Sequence, residues 1–209
     1  MPAHPAAIIL AAGDSSRMGA PKQLLELEGR SLLRRAVETA AAARCAPVIV
    51  VTGRESSRLA AELNQLPATI AFNANWEKGI GASIRVGANA ALSASPKIGA
   101  MLLMLCDQPL ITPHMLRALI EAREASGKPA CVSEYAGTLG PPVLIGRSLF
   151  PQLLSLPDDR GAKEMWADRP ELVCRVACPA AQFDIDTTED YQRLLHARKS
   201  IAPGITLPR

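Results

Sequence analysis

Four stretches of this chain carry residues that can do chemistry, and the first is Leu10-Ala-Ala-Gly-Asp-Ser-Ser-Arg-Met-Gly-Ala-Pro-Lys22. Small side chains at Ala11, Ala12 and Gly13 let backbone N–H groups approach an anion closely, while Arg17 and Lys22 can neutralise a polyphosphate. The string is not a Walker A loop, which needs GxxxxGK[ST]. Nor are Gly13 and Gly19 spaced as in the dinucleotide fingerprint GxGxxG. A surface turn with two solvated cations fits the same residues. The second stretch, Met101-Leu-Leu-Met-Leu-Cys-Asp-Gln-Pro109, is an apolar run that stops at Asp107. A carboxylate there can ligate Mg²⁺ between phosphates, or simply open the turn that follows. The third, Phe183-Asp-Ile-Asp-Thr-Thr-Glu-Asp190, offers Asp184 and Asp186. One of them can share a cation with Asp107; an acidic helix start gives the same pattern. The fourth, Asn75-Trp-Glu-Lys-Gly-Ile-Gly-Ala-Ser83, brings Ser83 to a helix start, where it can bind a base or ribose or cap an ordinary helix.

These stretches need elements to hold them. Ala6–Leu10, Pro47–Thr52, Thr69–Phe72, Ala100–Cys106 and Ala130–Ser133 read as strands, apolar throughout as a sheet covered on both faces requires. Helical patterns at Ser31–Arg44, Glu55–Leu66, Gly81–Ser93 and Pro113–Ser126 alternate with them; Thr112 caps the last, with Pro113 at its first position. The alternation predicts an α/β fold, a doubly wound, mostly parallel sheet with right-handed crossovers. In such sheets ligands sit outside the carboxyl ends of the strands, which is where the first loop and Asp107 fall. After Ser133 the rhythm loosens: Tyr135–Pro142 is rich in Gly and Pro, Val143–Ile145 reads as a strand, and short helices are expected at Arg147–Ser155 and Gly161–Ala167. Val173–Val176 and Gln182–Ile185 read as further strands, and Thr187 caps a last helix to about His196. One domain over residues 1–199 and a frayed tail over 200–209 complete the expectation.

Composition narrows the classes. The chain has 209 residues, 48% hydrophobic and 21% charged, a globular balance. Its 23 basic and 20 acidic side chains give +3, too small and dispersed to argue for nucleic acid or an anionic membrane. No stretch has the roughly 20 apolar residues of a membrane span. Five cysteines without CxxC spacing fit a reducing cytoplasm, with Cys106 and Cys131 as buried small residues. No catalytic triad is visible, since His4, His114 and His196 lie in the chain start, a first helical turn and a helix end.

Taken together, Leu-Ala-Ala-Gly-x-Ser-x-Arg-Met-Gly-x-Pro-Lys, Asn-x-x-Trp-x-x-Gly-x-x-x-Ser, Leu-Cys-Asp-Gln-Pro and Asp-Ile-Asp-Thr-x-Glu-Asp resemble the MobA-like nucleotidyltransferases, and more narrowly the molybdenum cofactor cytidylyltransferases of the MocA type. The resemblance runs from about Ile8 to Leu195 and implies a Rossmann-like fold with a nucleoside triphosphate in the first loop. It implies nucleotide contacts at Leu10, Ala11, Ala12, Gly13 and Ser83, triphosphate contacts at Arg17 and Lys22, and Mg²⁺ on Asp107 and Asp186. Arg17, Lys22 and Asp107 are then the catalytic set. Ala12 points to CTP, because guanylyl-transferring relatives usually read Leu-Ala-Gly-Gly there. Gly140, Pro142, Asp159, Arg160 and Gly161 fall in the part that receives the pterin cofactor. Pro141 and Asp158 depart from the family pattern, where His or Asn and Gly are common. The implied reaction is transfer of CMP from CTP to a molybdopterin-type cofactor, with a molybdenum hydroxylase apo-enzyme as a further partner. The alternatives are GTP, a sugar or small phosphate as acceptor, or a non-catalytic carrier of the cofactor.

Overall fold

A computed structural model describes residues 4–14 and 18–199 of the chain, the side chains of 197–199 excepted. Strand β1 (Ala6–Ala11) lies between β4 (Val48–Thr52) and β6 (Ala100–Leu105), with β5 (Thr69–Phe72) outside β4, all parallel. The sheet continues through β8 (Thr138–Gly146), β7 (Ala130–Tyr135) and β9 (Val173–Ala177), in the order β5-β4-β1-β6-β8-β7-β9. Only β8 runs against its neighbours. The Rossmann-like, mostly parallel α/β sheet is therefore the one the sequence announces. β1 and β4 are almost wholly buried, as strands packed on both faces must be.

The antiparallel β8 is the main departure from the simple alternation. Ala136 and Gly137 adopt positive φ, +47° and +73°, the conformation of a two-residue hairpin turn, so Tyr135 and Thr138 pair directly. The Gly- and Pro-rich stretch is thus mostly strand. Its register slips opposite Val132 and Ser133, where Pro141 and Pro142 offer no N–H to the ladder.

Two layers of helix cover the sheet. Helices α3 (Ile80–Ala94) and α5 (Phe150–Leu154) pack on one face around Ile8, Ile49, Met101 and Val143. Helices α1 (Leu32–Ala42), α2 (Ser56–Glu62) and α4 (Pro113–Ser126) pack on the other around Ile9, Val50, Leu102 and Leu144. Gly87 lets α3 close on the sheet, because a Cβ there would lie 2.4 Å from Ile8 Cγ2. The local signals for α4 hold: Thr112 accepts from Met115 N at 3.4 Å, and Gly127 ends the helix with φ +65°. α2 stops short of the predicted Leu66. Gly161–Ala167 holds one 3₁₀ turn, Ala162–Met165.

Gln182–Ile185 is not a strand. Residues 179–182 form a 3₁₀ turn, and Ile185 N donates instead to Asp107 O at 3.0 Å, outside any ladder. α6 (Thr188–Lys199) follows, started by a reciprocal cap in which Asp190 N donates to Thr187 Oγ1 (3.2 Å) and Thr187 N to Asp190 Oδ2 (2.8 Å). A short hairpin, β2 (Glu26–Leu27) and β3 (Arg30–Ser31), escaped the sequence reading. Its Leu27 packs with Ile185, Tyr191 and Leu194, and Tyr191 donates to Glu26 O at 2.5 Å. That small cluster returns the C-terminal helix to the first loop. Among the described residues no helix is long and apolar enough to cross a membrane. The expected tail, 200–209, lies outside the described residues.

Candidate functional site

The first loop leaves β1 at Ala11 and returns through Pro21 into a 3₁₀ turn, Lys22–Leu24. Gln23 closes it. Its side chain, 2% exposed, donates through Nε2 to Ala11 O (2.9 Å) and Gly13 O (3.1 Å), tying both ends of the loop together. The neighbouring Lys22 is thereby aimed across the carboxyl edge of the sheet. There Cys106 N donates to Leu10 O as β6 ends, which sets Asp107 beside the loop. Gln108, buried, donates to Ala181 O at 2.7 Å and to Pro141 O at 3.2 Å, fastening the turn after Asp107 to both flanking segments.

Lys22 Nζ lies 2.5 Å from Asp107 Oδ2 and 2.8 Å from Asp186 Oδ1, although Lys22 and Asp186 are 164 residues apart in the chain. Side-chain exposures of 15% for Lys22 and 14% for Asp107 make this a largely desolvated pair, with Asp186 more open. Burial works against the Lys22 charge, but the Asp107 and Asp186 carboxylates outweigh it and raise its pKa. Asp184 is exposed on the preceding turn. Partial burial and the carboxylates of Asp186 and Asp107 push its own carboxyl up. Asp107 Oδ1 is buried without a hydrogen-bond partner. An oxygen so placed suits a divalent cation, and Mg²⁺ in particular takes one or two carboxylates and completes its shell with phosphate oxygens and water. Two carboxylates fit that need. Among the described residues no cluster of three or more acidic, His or Cys side chains forms a self-sufficient metal cage.

A cleft of about 250 Å³ opens beside the loop, lined by Ala11, Ala12, Gly13 and Gln23 from the first loop, by Arg54 from the connection after β4 and by Arg58 from the first turn of α2. Both arginines escaped the sequence reading. The available signal was their position directly after β4, the strand paired with β1. Gly53 lets that connection approach: a Cβ there would lie 2.7 Å from Trp76 Cγ and 2.9 Å from Ala12 O. Gly53 thus sits between Trp76 and the first loop. Ser83 is not at this cleft; it is 5% exposed on α3, where its Oγ accepts from Asn73 Nδ2 at 3.0 Å. Arg17 lies outside the described residues.

Gly140 and Gly161, two of the residues expected to receive the acceptor, fall on one cavity, which they line together with Leu10, Leu105 and Trp166; it is apolar and has a volume of about 120 Å³. Pro142 does not line it, and its carbonyl accepts from Ser133 Oγ at 2.7 Å. Asp159 and Arg160 are solvent-exposed, 3.9 Å apart. The unusual Asp158 has a partner in Arg85, which donates to Asp158 Oδ1 and to Leu156 O; the guanidinium hydrogen bond holds the Asp158 carboxyl below its usual range.

The MobA-like NTP transferase domain model matches residues 7–173, from β1 to the start of β9, including the first loop and Asp107. The chain belongs to that family. A MobA-like NTP transferase is a nucleotidyltransferase, and the relatives extend beyond the matched segment. The chain is 32% identical over 197 residues to nicotine blue oxidoreductase of Paenarthrobacter nicotinovorans, covering 90% of this chain and 95% of that protein. It is 29% identical over 204 residues to the purine catabolism protein PucB of Bacillus subtilis, covering 91% and 95%. Among solved structures, Rv0371c of Mycobacterium tuberculosis H37Rv superposes with a TM-score of 0.76 at 30% identity, over 93% of this chain and 99% of that one. A manganese complex of Rv0371c has also been solved (TM-score 0.74, 27% identity, coverage 93% and 100%).

Proposed function

We propose that this MobA-like transferase moves CMP from CTP to the terminal phosphate of a molybdopterin-type cofactor and releases pyrophosphate. The observation that carries the reading is the Lys22 ammonium shared by Asp107 and Asp186 at the mouth of a loop of small residues. An acceptor phosphate oxygen bonds to the α-phosphorus of CTP, and the bond from that phosphorus to the bridging oxygen of pyrophosphate breaks. Both partners are anionic, so alignment and charge neutralisation carry most of the barrier and no protein nucleophile is required. Leu10, Ala11, Ala12 and Gly13 bring backbone to the nucleotide. Lys22 supplies positive charge for the leaving pyrophosphate, with Arg17 assigned the same role by resemblance, and Arg54 and Arg58 add charge along the cleft. Asp107 and Asp186 would hold Mg²⁺, which supplies Lewis-acid stabilisation of the phosphates. Ala12 supports CTP over GTP. A molybdenum hydroxylase apo-enzyme is the proposed recipient of the product, and a cytoplasmic site of action accords with five free thiols among the described residues.

The test is Mg²⁺-dependent pyrophosphate release with CTP or GTP, each with and without molybdenum cofactor. Release is expected only with CTP and cofactor together, and Asp107→Ala should lower turnover by orders of magnitude in a folded protein. Near-normal turnover of that variant would sink the assignment. A second reading, a redox reaction, is favoured by the similarity to nicotine blue oxidoreductase of Paenarthrobacter nicotinovorans over 90% of this chain. It predicts consumption of a dihydronicotinamide without pyrophosphate release.

A further inference from the structure

Pro21 and Gln23 both line the cleft beside the first loop, but Lys22 between them does not. Its ammonium is turned instead to the carboxyl edge, 2.5 Å from Asp107 Oδ2 and 2.8 Å from Asp186 Oδ1. An ammonium within hydrogen-bond distance of both oxygens leaves no room for a second cation to bridge them. The other oxygen of Asp107, Oδ1, is buried, so the approach from solvent to this carboxylate runs past Oδ2 and the ammonium on it. Ammonium and divalent metal are therefore alternatives at this edge. An ammonium held here is also not in the cleft, where a polyphosphate would meet it.

The charge can move without the loop moving. Lysine carries its charge as a compact point on a flexible four-carbon stem. The backbone around it is fixed: Leu24 N donates to Pro21 O, Leu25 N donates to Lys22 O, and Gln23 is tied to Ala11 O and Gly13 O. With cleft-lining residues on either side of Lys22, a change of side-chain rotamer is enough to turn Nζ from the carboxylates toward the cleft. A polyanion there, drawn in by Arg54 and Arg58, offers negative charge in exchange for that of Asp107 and Asp186.

We infer that Lys22 is a latch on the cation site: its ammonium closes the Asp107–Asp186 pair, and polyphosphate entering the cleft draws it off and opens the pair to a divalent cation. The inference rests on the transfer reading for placing a triphosphate in the cleft, and adds to it an order of assembly, polyphosphate before metal.

Mn²⁺ and inorganic triphosphate test the latch without turnover and without a choice of nucleoside. Acetylation of the full chain by an N-hydroxysuccinimide ester, read by peptide mass spectrometry, compares Lys22 with the exposed Lys78 and Lys97. Lys22 is expected to label slowly, and saturating Mn²⁺ should speed its labelling roughly 10-fold if the latch is open in about a tenth of molecules. Free Mn²⁺ measured by electron paramagnetic resonance should show Lys22→Met binding the ion roughly 10- to 100-fold tighter than the parent, as a latch closed in about 90–99% of molecules requires. Removing a nearby positive charge gives part of that gain by itself, so labelling of the parent decides, and it needs no variant to fold. In EDTA, Asp186→Asn should raise triphosphate affinity in the parent but not in Lys22→Met, because only a held ammonium has to be freed. Mn²⁺ that saturates the parent while Lys22 stays protected overturns the latch, and so does Mn²⁺ that binds neither protein. Triphosphate that does not bind, or that gains equally from Asp186→Asn in both backgrounds, overturns the opening step. If the latch holds while CMP transfer from CTP fails, the transfer reading falls and the latch stands.

Discussion

Replacing Lys22 with Met keeps the length of the side chain and removes a charge that lies between two carboxylates. At an effective dielectric of about 20, opposite charges about 4 Å apart attract by roughly 4 kcal/mol, and desolvation of both partners offsets much of that. Breaking a buried pair from one side typically costs about 3–5 kcal/mol. Lys22 and Asp107 each keep about 15% side-chain exposure (15% and 14%), which lowers the figure, and Asp186 at 40% exposure contributes less than about 1 kcal/mol. We therefore expect Lys22→Met to lose about 2–3 kcal/mol, or roughly 4–12 °C in Tm for a chain of this size. The assay is urea unfolding followed by circular dichroism, with thermal melts alongside. Adding Asp107→Asn to the variant should recover most of the loss, because it removes the stranded carboxylate. Millimolar MnCl₂ should raise the Tm of Lys22→Met more than that of the parent, a cation taking the place of the ammonium.

The pH dependence has a definite sign. The folded-state pKa of Lys22 is raised above 10.5, so its stabilisation is complete below that value and disappears as pH climbs through the folded pKa. Parent and variant should therefore differ by a constant amount from pH 7 to 9 and converge above about 10.5. A loss under about 0.5 kcal/mol at pH 7, the range of an ordinary surface substitution, or a gap that persists unchanged at high pH, refutes the reasoning.

Other substitutions test the supports of the site. Gln23→Ala strands the Ala11 and Gly13 carbonyls and should cost about 1–3 kcal/mol, with the KM for nucleotide rising; a variant of parental stability and KM would remove Gln23 as the clasp of the loop. Gly81→Ala drives a methyl into Pro157 O and should lower stability by about 1–3 kcal/mol, read by thermal melting. Parental melting of Gly81→Ala would show that the 157–160 segment is not docked on α3. Burial pushes the Cys45 thiol up to about 12 and the Cys106 thiol higher still, so both stay protonated and should resist iodoacetamide at pH 8 in the folded protein. Rapid labelling of either, read by peptide mass spectrometry, would contradict their placement in the core.

What the sequence determined by itself is what local chemistry can specify. Continuous apolar runs named β1, β4 and β6, because strands buried on both faces allow nothing else, and the short Thr69–Phe72 run named the edge strand β5. Thr112, Pro113 and Gly127 bounded α4, since caps act within one turn. The small residues of the first loop and the abrupt Asp107 located the carboxyl edge, and the motif spacing reached the family. The tertiary structure decided the rest. It turned the expected strand at Gln182–Ile185 into a bridge, because Ile185 N found Asp107 O rather than a ladder partner. It built β8 antiparallel on a two-residue turn, moved Ser83 away from the cleft, and brought Arg54 and Arg58 to it. Above all it set Lys22 between Asp107 and Asp186. Their distance in the chain leaves no periodic trace, and the packing of Leu27, Ile185 and Tyr191, with the Ile185 N to Asp107 O hydrogen bond, fixes where that last carboxylate falls.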